Sequence, residues 1–327
     1  MEIAILDTGI DRMHTYLAGN VLGGYSVIGE EMHYEDDNGH GTLCASVIKK
    51  EAPKAQFWVW KVLDNNNETT LNKLETALEL LKESPVRLVH MSLSIMDDCN
   101  VGEVHGRIKE LADQGKILVC SLTNGRAASY PAVYPEVLGV QGSILESDSV
   151  FWYDGEKSIQ CIADSNPYLH AYPGGTYRLF GKNNSFASAK MTGIIASILE
   201  EEPQLTLEEL KKRLSSRAIR NRWKEEDLSV SQRFPVKNEE PLPEKIARKT
   251  ERIVKEFLEI LRSEDLEEKI LFSKSMGLTG KNCFSLIKRL EEELDCNMKD
   301  YTRISRYDLC FLSNIAGLMA RGIRDEI

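Results

Sequence analysis

The chain has no long apolar run, no excess of positive charge and no paired-cysteine spacing, and each absence removes a class of function. None of its 327 residues falls within an apolar stretch of the ~20 residues that a membrane helix needs, so no membrane partner is expected. The start "MEIAIL" has neither a basic n-region nor an apolar h-region, so no secretory signal is read there. The formal net charge is −10, which leaves no general basic footprint for nucleic acid. The seven cysteines, Cys44, Cys99, Cys120, Cys161, Cys283, Cys296 and Cys310, form no C-x-x-C pair and no zinc-type cluster with histidine. Reduced thiols in a cytoplasmic protein fit this pattern. Internal repeats and low-complexity tracts are also lacking. What is present is an ordinary globular composition, 42% hydrophobic, on a length that accommodates two domains.

Residues 1–219 alternate strand-like and helix-like runs. "EIAILD" (2–7), "AQFWVWKVL" (55–63), "RLVHMSLS" (87–94), "KILVCSL" (116–122) and "VLGVQG" (137–142) read as strands. Helices are predicted from His40 to just before Pro53, over 69–84, where Leu71, Leu74, Ala77, Leu78 and Leu81 share a face, and over 101–115, closed by Gly115. This alternation predicts an α/β fold with a mostly parallel sheet and helices on both faces. Residues 220–243 are charged, carry Pro235, Pro241 and Pro243, and read as a linker. Residues 244–327 have a helical pattern and predict a small all-α accessory domain.

Three polar residues stand at strand ends or helix starts. Asp7 ends the first strand, His40 opens a helix within "DDNGHGT", and Ser185 stands at the head of another within "NNSFAS". In a parallel sheet, sites collect beyond the carboxyl ends of the strands. A serine hydroxyl needs a base to become a nucleophile, a histidine can be that base, and a carboxylate fixes the histidine's tautomer. Asn124, after a strand in "LTNG", can donate a side-chain amide to an oxyanion. Taken singly, each has a plainer reading: Ser185 as a helix N-cap, Asp7 and Asn124-Gly125 as turn residues, His40 as a structural histidine. His14, His33, His90, His105 and His170 keep such plain readings. Glu35-Asp36-Asp37 reads as a solvated loop, with a bias toward basic substrates as the sharper alternative.

Together, "ILDTGID" (5–11), "NGHGTLCASVI" (38–48), "HMSLS" (90–94), "LTNG" (122–125), "YPAVYPEVLGV" (130–140) and "SFASAKMTG" (185–193) resemble the successive blocks of subtilisin-like serine peptidases, in that family's order. The resemblance covers about residues 1–218. It implies that Asp7 orients His40, that His40 acts as general base and then acid, and that Ser185 attacks the scissile carbonyl to form an acyl-enzyme. It also implies that Asn124 and the Ser185 backbone N–H bind the oxyanion. Ser92, Leu93 and Ser94 would bind the substrate backbone as an edge strand. Ser94 stands where the family usually has glycine, and Asn183-Asn184 where it commonly has Gly-Thr. Asparagine accepts glycine-like backbone angles better than most residues. Cys44, one helical turn after His40, resembles the thiol of thiol-sensitive members, which implies inhibition by a bulky mercurial; a cysteine nucleophile is the rival reading. The family's propeptide and calcium-binding extension have no counterpart before Asp7, so no cofactor and no essential metal are expected.

"FSKSMGLTGKNCFSLIKRLEEELDC" (272–296) resembles the acyl or peptidyl carrier signature. The position of the modified serine falls on Gly280, which has no hydroxyl, and Ser285 lies a full turn later. The resemblance implies a degenerate carrier-like domain; an unrelated helical bundle is the alternative. In either case residues 244–327 are expected to contact a partner protein or a substrate. The reading reached from sequence is a cytoplasmic serine endopeptidase that processes peptide or protein substrates, leader-peptide removal among them. The alternative is a non-catalytic peptide-binding scaffold on a degenerate protease fold.

Overall fold

The computed structural model describes residues 1–95 and 101–324, and Cys99 lies outside them. The strands β1 (Glu2–Asp7), β2 (Val21–Ser26), β3 (Gln56–Lys61), β4 (Leu88–Met91), β5 (Ile117–Ser121), β6 (Val137–Ser143), β7 (Phe151–Tyr153) and β8 (Cys161–Asp164) form one sheet in the order β2-β3-β1-β4-β5-β6-β8-β7. Every neighbouring pair is parallel except β7 with β8. The central strands β1, β4 and β5 are buried almost throughout, as expected of a parallel sheet covered on both sides.

Strand alternation decides which residues meet which layer. Ala4, Leu6, Val89, Met91, Leu118 and Cys120 share one core with the apolar residues of α2 (Leu71–Lys82) and α3 (Val101–Asp113). The other face, which carries Asp7 and His90, packs against α1 (His40–Glu51) and α4 (Asn184–Glu201). The α4 helix is apolar and buried nearly all round, so the sheet and α1 must enclose it. After it come α5 (Leu207–Arg217), with a Thr206–Glu209 capping box, and the short α6 (Glu225–Ser229) inside the segment read as linker.

The chain divides into two compact units. One comprises residues 1–166, 171–175 and 181–232; the other comprises 167–170, 176–180 and 233–327. The second unit is built on α7 (Glu244–Phe257), α8 (Cys283–Leu294) and α9 (Leu312–Arg324), with two 3-10 turns at Tyr301–Arg303 and Arg306–Leu309. Its core joins Ile253, Leu286, Leu290, Ile315 and Met319 with Leu169. A strand-like contribution from residues far earlier in the chain is therefore part of this helical unit. Among the described residues no helix is long and apolar enough to cross a membrane.

Candidate active site

Asp7 closes β1 with its side chain fully buried on the α1 face. Its carboxylate meets His40 Nδ1 at 2.8 and 2.9 Å and accepts the Thr8 N–H at 2.8 Å. This is the tautomer-fixing geometry that a general base requires. Burial alone would disfavour the His40 cation, but the adjacent Asp7 carboxylate outweighs it, so the His40 pKa stands above the ordinary 6.5. The ring is 17% exposed.

His40 is the first residue of α1, and the backbone on either side of it is shaped by a glycine. Gly39 has φ 104°, and a Cβ there would meet the Tyr172 ring at 2.1 Å. At Gly41 a Cβ would meet the Gly9 carbonyl at 2.1 Å. Asp36 then ties the loop to the helix. One of its oxygens accepts from Thr8 Oγ1 (2.8 Å), Asn38 N (3.0 Å) and Gly39 N (2.7 Å), and the other from Thr42 N (2.9 Å) and Thr42 Oγ1 (2.6 Å). The solvated-loop reading of Glu35-Asp36-Asp37 is corrected at Asp36, which is buried and carries the organisation of the His40 loop. Asp37 pairs with the buried Lys61, whose ammonium also donates to the Glu35 carbonyl at 2.7 Å.

At the other helix head, Asn183 is the N-cap of α4, and its side chain accepts from Phe186 N at 2.7 Å. The plain reading of Ser185 as the cap is thereby corrected. Asn183 has φ −144°, extended backbone open to any residue; the left-handed residue of this turn is Lys182, with φ 55°. The Asn-Asn pair thus meets no demand for glycine. Asn184 instead ties three elements together. Its Oδ1 accepts from Gly142 N, its Nδ2 donates to the Leu122 carbonyl, and its backbone N–H donates to Asn124 Oδ1, each at 2.9 Å. The last bond occupies the carbonyl end of the Asn124 amide and leaves its NH2 end as the donor. Four N–H groups at a helix start have no intrahelical partner. Here Phe186 N is taken by Asn183 and Asn184 N by Asn124, and the Ser185 N–H has no partner among the described residues.

Ser185 and Asn124 line one cavity of about 620 Å³ together with Ser92, Leu93, Ser94, Leu63, Leu71, Leu74 and Glu68. Asp7 is connected to its wall, because the Leu63 N–H donates to the Asp7 carbonyl at 3.2 Å. Ser92–Ser94 follow β4, whose last residue, Met91, pairs with Leu6 on one side and Cys120 on the other. That strand is therefore central in the sheet, and only the residues beyond it reach the cavity. Another cavity, of about 770 Å³, opens around Val86, Arg87, Gly115, Lys116 and Thr206. Its lysine at 116 is spent on the carbonyls of Ser84 and Val86, and it brings no nucleophile and base together.

Cys44 is fully buried, with Sγ 3.9 Å from His40 Nδ1. Cys44 is not among the residues lining the cavity of Ser185 and Asn124, and burial pushes its thiol up to about 11, both of which weigh against the cysteine-nucleophile reading. Cys120, Cys161 and Cys283 are likewise buried free thiols. Sequence reasoning passed over His90, which lies buried below the site, with burial holding its pKa down to about 4. Its signal was a single imidazole in a strand that is otherwise entirely apolar. His105, by contrast, pairs with Glu136 at 3.0 Å and stacks on Tyr134.

The subtilase family profile matches residues 1–240. Thermitase of Thermoactinomyces vulgaris is 26% identical over 59% of this chain and 72% of its own length. The major intracellular serine protease of Bacillus subtilis (strain 168) is 28% identical over 62% of this chain and 70% of its own. The minor extracellular protease Epr of the same strain is 26% identical over 67% of this chain, which spans only 35% of that longer protein. The crystal structure of a cold adapted subtilisin-like serine proteinase superposes with a TM-score of 0.59 at 20% identity, covering 66% of this chain and 81% of that one. The chain belongs to the subtilase family, and its class of activity is that of a serine endopeptidase acting on peptide or protein substrates.

Proposed function

We propose that Asp7, His40 and Ser185 form the catalytic triad of this endopeptidase. His40 takes the Ser185 proton as the hydroxyl attacks the scissile carbonyl, then returns it to the leaving amine; water hydrolyses the acyl-enzyme by the same route. The Asn124 NH2 and the Ser185 N–H bind the oxyanion, and Ser92, Leu93 and Ser94 hold the substrate backbone. The observation that carries this reading is the pair of locked orientations. Asp7 holds His40 by Nδ1, and Asn184 holds Asn124 by its carbonyl, so each group keeps its functional end for the substrate.

We further infer an intracellular role in peptide processing, such as removal of a leader segment. Buried free thiols at Cys44, Cys120 and Cys161 support a reducing compartment, and relatives that include proteins named intracellular serine proteases agree with it. Residues 233–327 serve contact, as a carrier-like fold without a carrier function, because Gly280 offers no hydroxyl and Ser285 is inside α8.

The test is acylation by a fluorophosphonate probe followed by peptide-library cleavage. Labelling of the native chain that disappears in Ser185→Ala is the expected result. Labelling that survives the substitution would sink the mechanism. Absence of labelling with retained peptide binding would establish the non-catalytic scaffold.

A further inference from the structure

Behind His40, away from the substrate cavity, three buried side chains of different ligand chemistry converge. One ligand atom from each of Asp7, Cys44 and His90 lies within 4.8 Å of the others. All three residues are fully buried. His90 is oriented for more than packing. Its Nδ1 lies 2.9 Å from Thr192 Oγ1, and that hydroxyl donates its own proton to the Ser188 carbonyl at 2.8 Å. The imidazole must therefore be the donor at Nδ1, which puts the lone pair on Nε2. That Nε2 is buried and has no hydrogen-bond partner. An unmet buried acceptor is unfavourable, so the bare Nε2 is a cost to the fold unless something binds there. A histidine with one ring nitrogen fixed by a second group and the other bare is the arrangement found at metal ligands.

We propose that Asp7, Cys44 and His90 form an inhibitory site for a thiophilic divalent cation of the zinc type. A thiolate, an imidazole and a carboxylate are the zinc donor set, whereas calcium and magnesium take oxygen ligands. Zinc bonds of about 2.0–2.3 Å place neighbouring ligand atoms roughly 3.3–3.8 Å apart, so the cluster closes by about 1 Å through side-chain rotation. Binding displaces the Cys44 thiol proton to solvent and directs a carboxylate lone pair of Asp7 to the metal. No electron is transferred. The ring of His40, in contact with both Asp7 and Cys44, swings aside to admit the ion and loses the acceptor that holds it. Inhibition, unlike binding, rests on the peptidase reading above. The cation is a reversible brake on the base, distinct from an essential metal, which is not expected here.

The test uses the full-length chain, stripped of metal. For binding, the Ser185→Ala form is titrated with Co2+, and with Zn2+ against a chromophoric chelator. One equivalent should bind, with a cobalt–thiolate charge-transfer band. Cys44→Ala should abolish the band, and Thr192→Val, which frees the His90 ring, should weaken affinity about tenfold to a hundredfold. Each variant's melting temperature without metal reports whether it folds. Zinc uptake that is unchanged in Cys44→Ala, or no cobalt band with the folded Ser185→Ala chain, overturns the site. For inhibition, zinc should suppress hydrolysis by the native chain and a chelator should restore it, whereas Cys44→Ala, measured against its own metal-free rate, should be insensitive. A band without any hydrolysis to inhibit would indict the peptidase reading alone. Probe labelling at Ser185 without a band would indict the metal site alone.

Discussion

Replacing Asp36 with asparagine should damage both the stability of the first unit and the rate, although Asp36 touches none of the reacting groups. The carboxylate accepts five hydrogen bonds, three on Oδ1 and two on Oδ2. An asparagine oxygen in the Oδ1 position can keep Thr8, Asn38 and Gly39, each with a neutral rather than a charged acceptor. Its NH2 then confronts the Thr42 hydroxyl and the Thr42 N–H. The hydroxyl can turn to accept; the N–H cannot, and remains buried and unpaired. An orphaned donor is unfavourable by about 1–3 kcal/mol, and a bond to a charged group is worth roughly twice a neutral one, which together put the loss at about 3–5 kcal/mol. Domains are stable by only about 5–15 kcal/mol, so the loss is a large fraction of the whole. Denaturant unfolding of the Ser185→Ala chain, with and without Asp36→Asn, measures it. All four tryptophans (Trp58, Trp60, Trp152 and Trp223) fall in the first unit, so their fluorescence reports that unit. Because Gly39 and Thr42 flank His40 in the first turn of α1, kcat/KM should fall as well, by about 10²-fold for a 1 Å displacement of the base. A stability change within about 0.5 kcal/mol, together with an unaltered rate, would refute the argument that Asp36 organises the loop.

Much of the candidate site was legible because its residues sit in short local motifs. Asp7, His40, Asn124 and Ser185 each follow a buried strand or open a helix, and strands buried on both faces read as unbroken apolar runs. Asp7–His40 pairing and the Asn124–Ser185 cavity follow from where those motifs converge on a parallel sheet. The β2 strand (Val21–Ser26), with two adjacent glycines, lacks the pattern that marked its neighbours. So does the hairpin of β9 (Tyr168–Tyr172) and β10 (Thr176–Phe180), whose residues are shared between two units.

What stayed hidden depends on partners far away in sequence. Asp36 looks like any loop acid until Thr8, 28 residues earlier, is placed against it. His90 looks like a core histidine until Thr192, 102 residues on, fixes its ring. The two asparagines before Ser185 looked like worn glycine and threonine. Asn183 serves as a local cap, whereas the value of Asn184 comes from bonds that local pattern cannot reveal, the longest of them to Leu122 across 62 residues. Departure from a family motif therefore reads as loss only while the replacing side chain has no known partner.

Asn183→Ala should destabilise α4 by about 1 kcal/mol and Asn183→Gly by only a few tenths, because a cap is lost but no left-handed angle is relaxed; paired melting curves decide it. Asn184→Ala removes the acceptor of Gly142 N and the donor to the Leu122 carbonyl but keeps the backbone N–H that holds Asn124, and should lower stability by about 2–3 kcal/mol; a melting curve shifted by less than about 0.5 kcal/mol would contradict the role of its side chain in tying these elements together. The pH dependence tests the Asp7–His40 pair with opposite signs in two assays. The His40 pKa is raised in the folded chain, so the ion pair's contribution to stability is complete below the unfolded value of about 6.5 and is lost as pH rises through the folded value. Catalysis needs the neutral ring, so kcat/KM must rise across that same window, with its inflection above 6.5. Asp7→Asn takes away the cause that raises the pKa and leaves burial, which lowers it, so the inflection should move down while the rate drops by about 10⁴ from the wrong tautomer. The stability assay, run on Ser185→Ala, should lose its downward slope in that window when His40 is also changed to glutamine. A wild-type inflection at or below 6.5, or stability climbing where activity climbs, would mean that the Asp7 carboxylate does not govern the charge on His40.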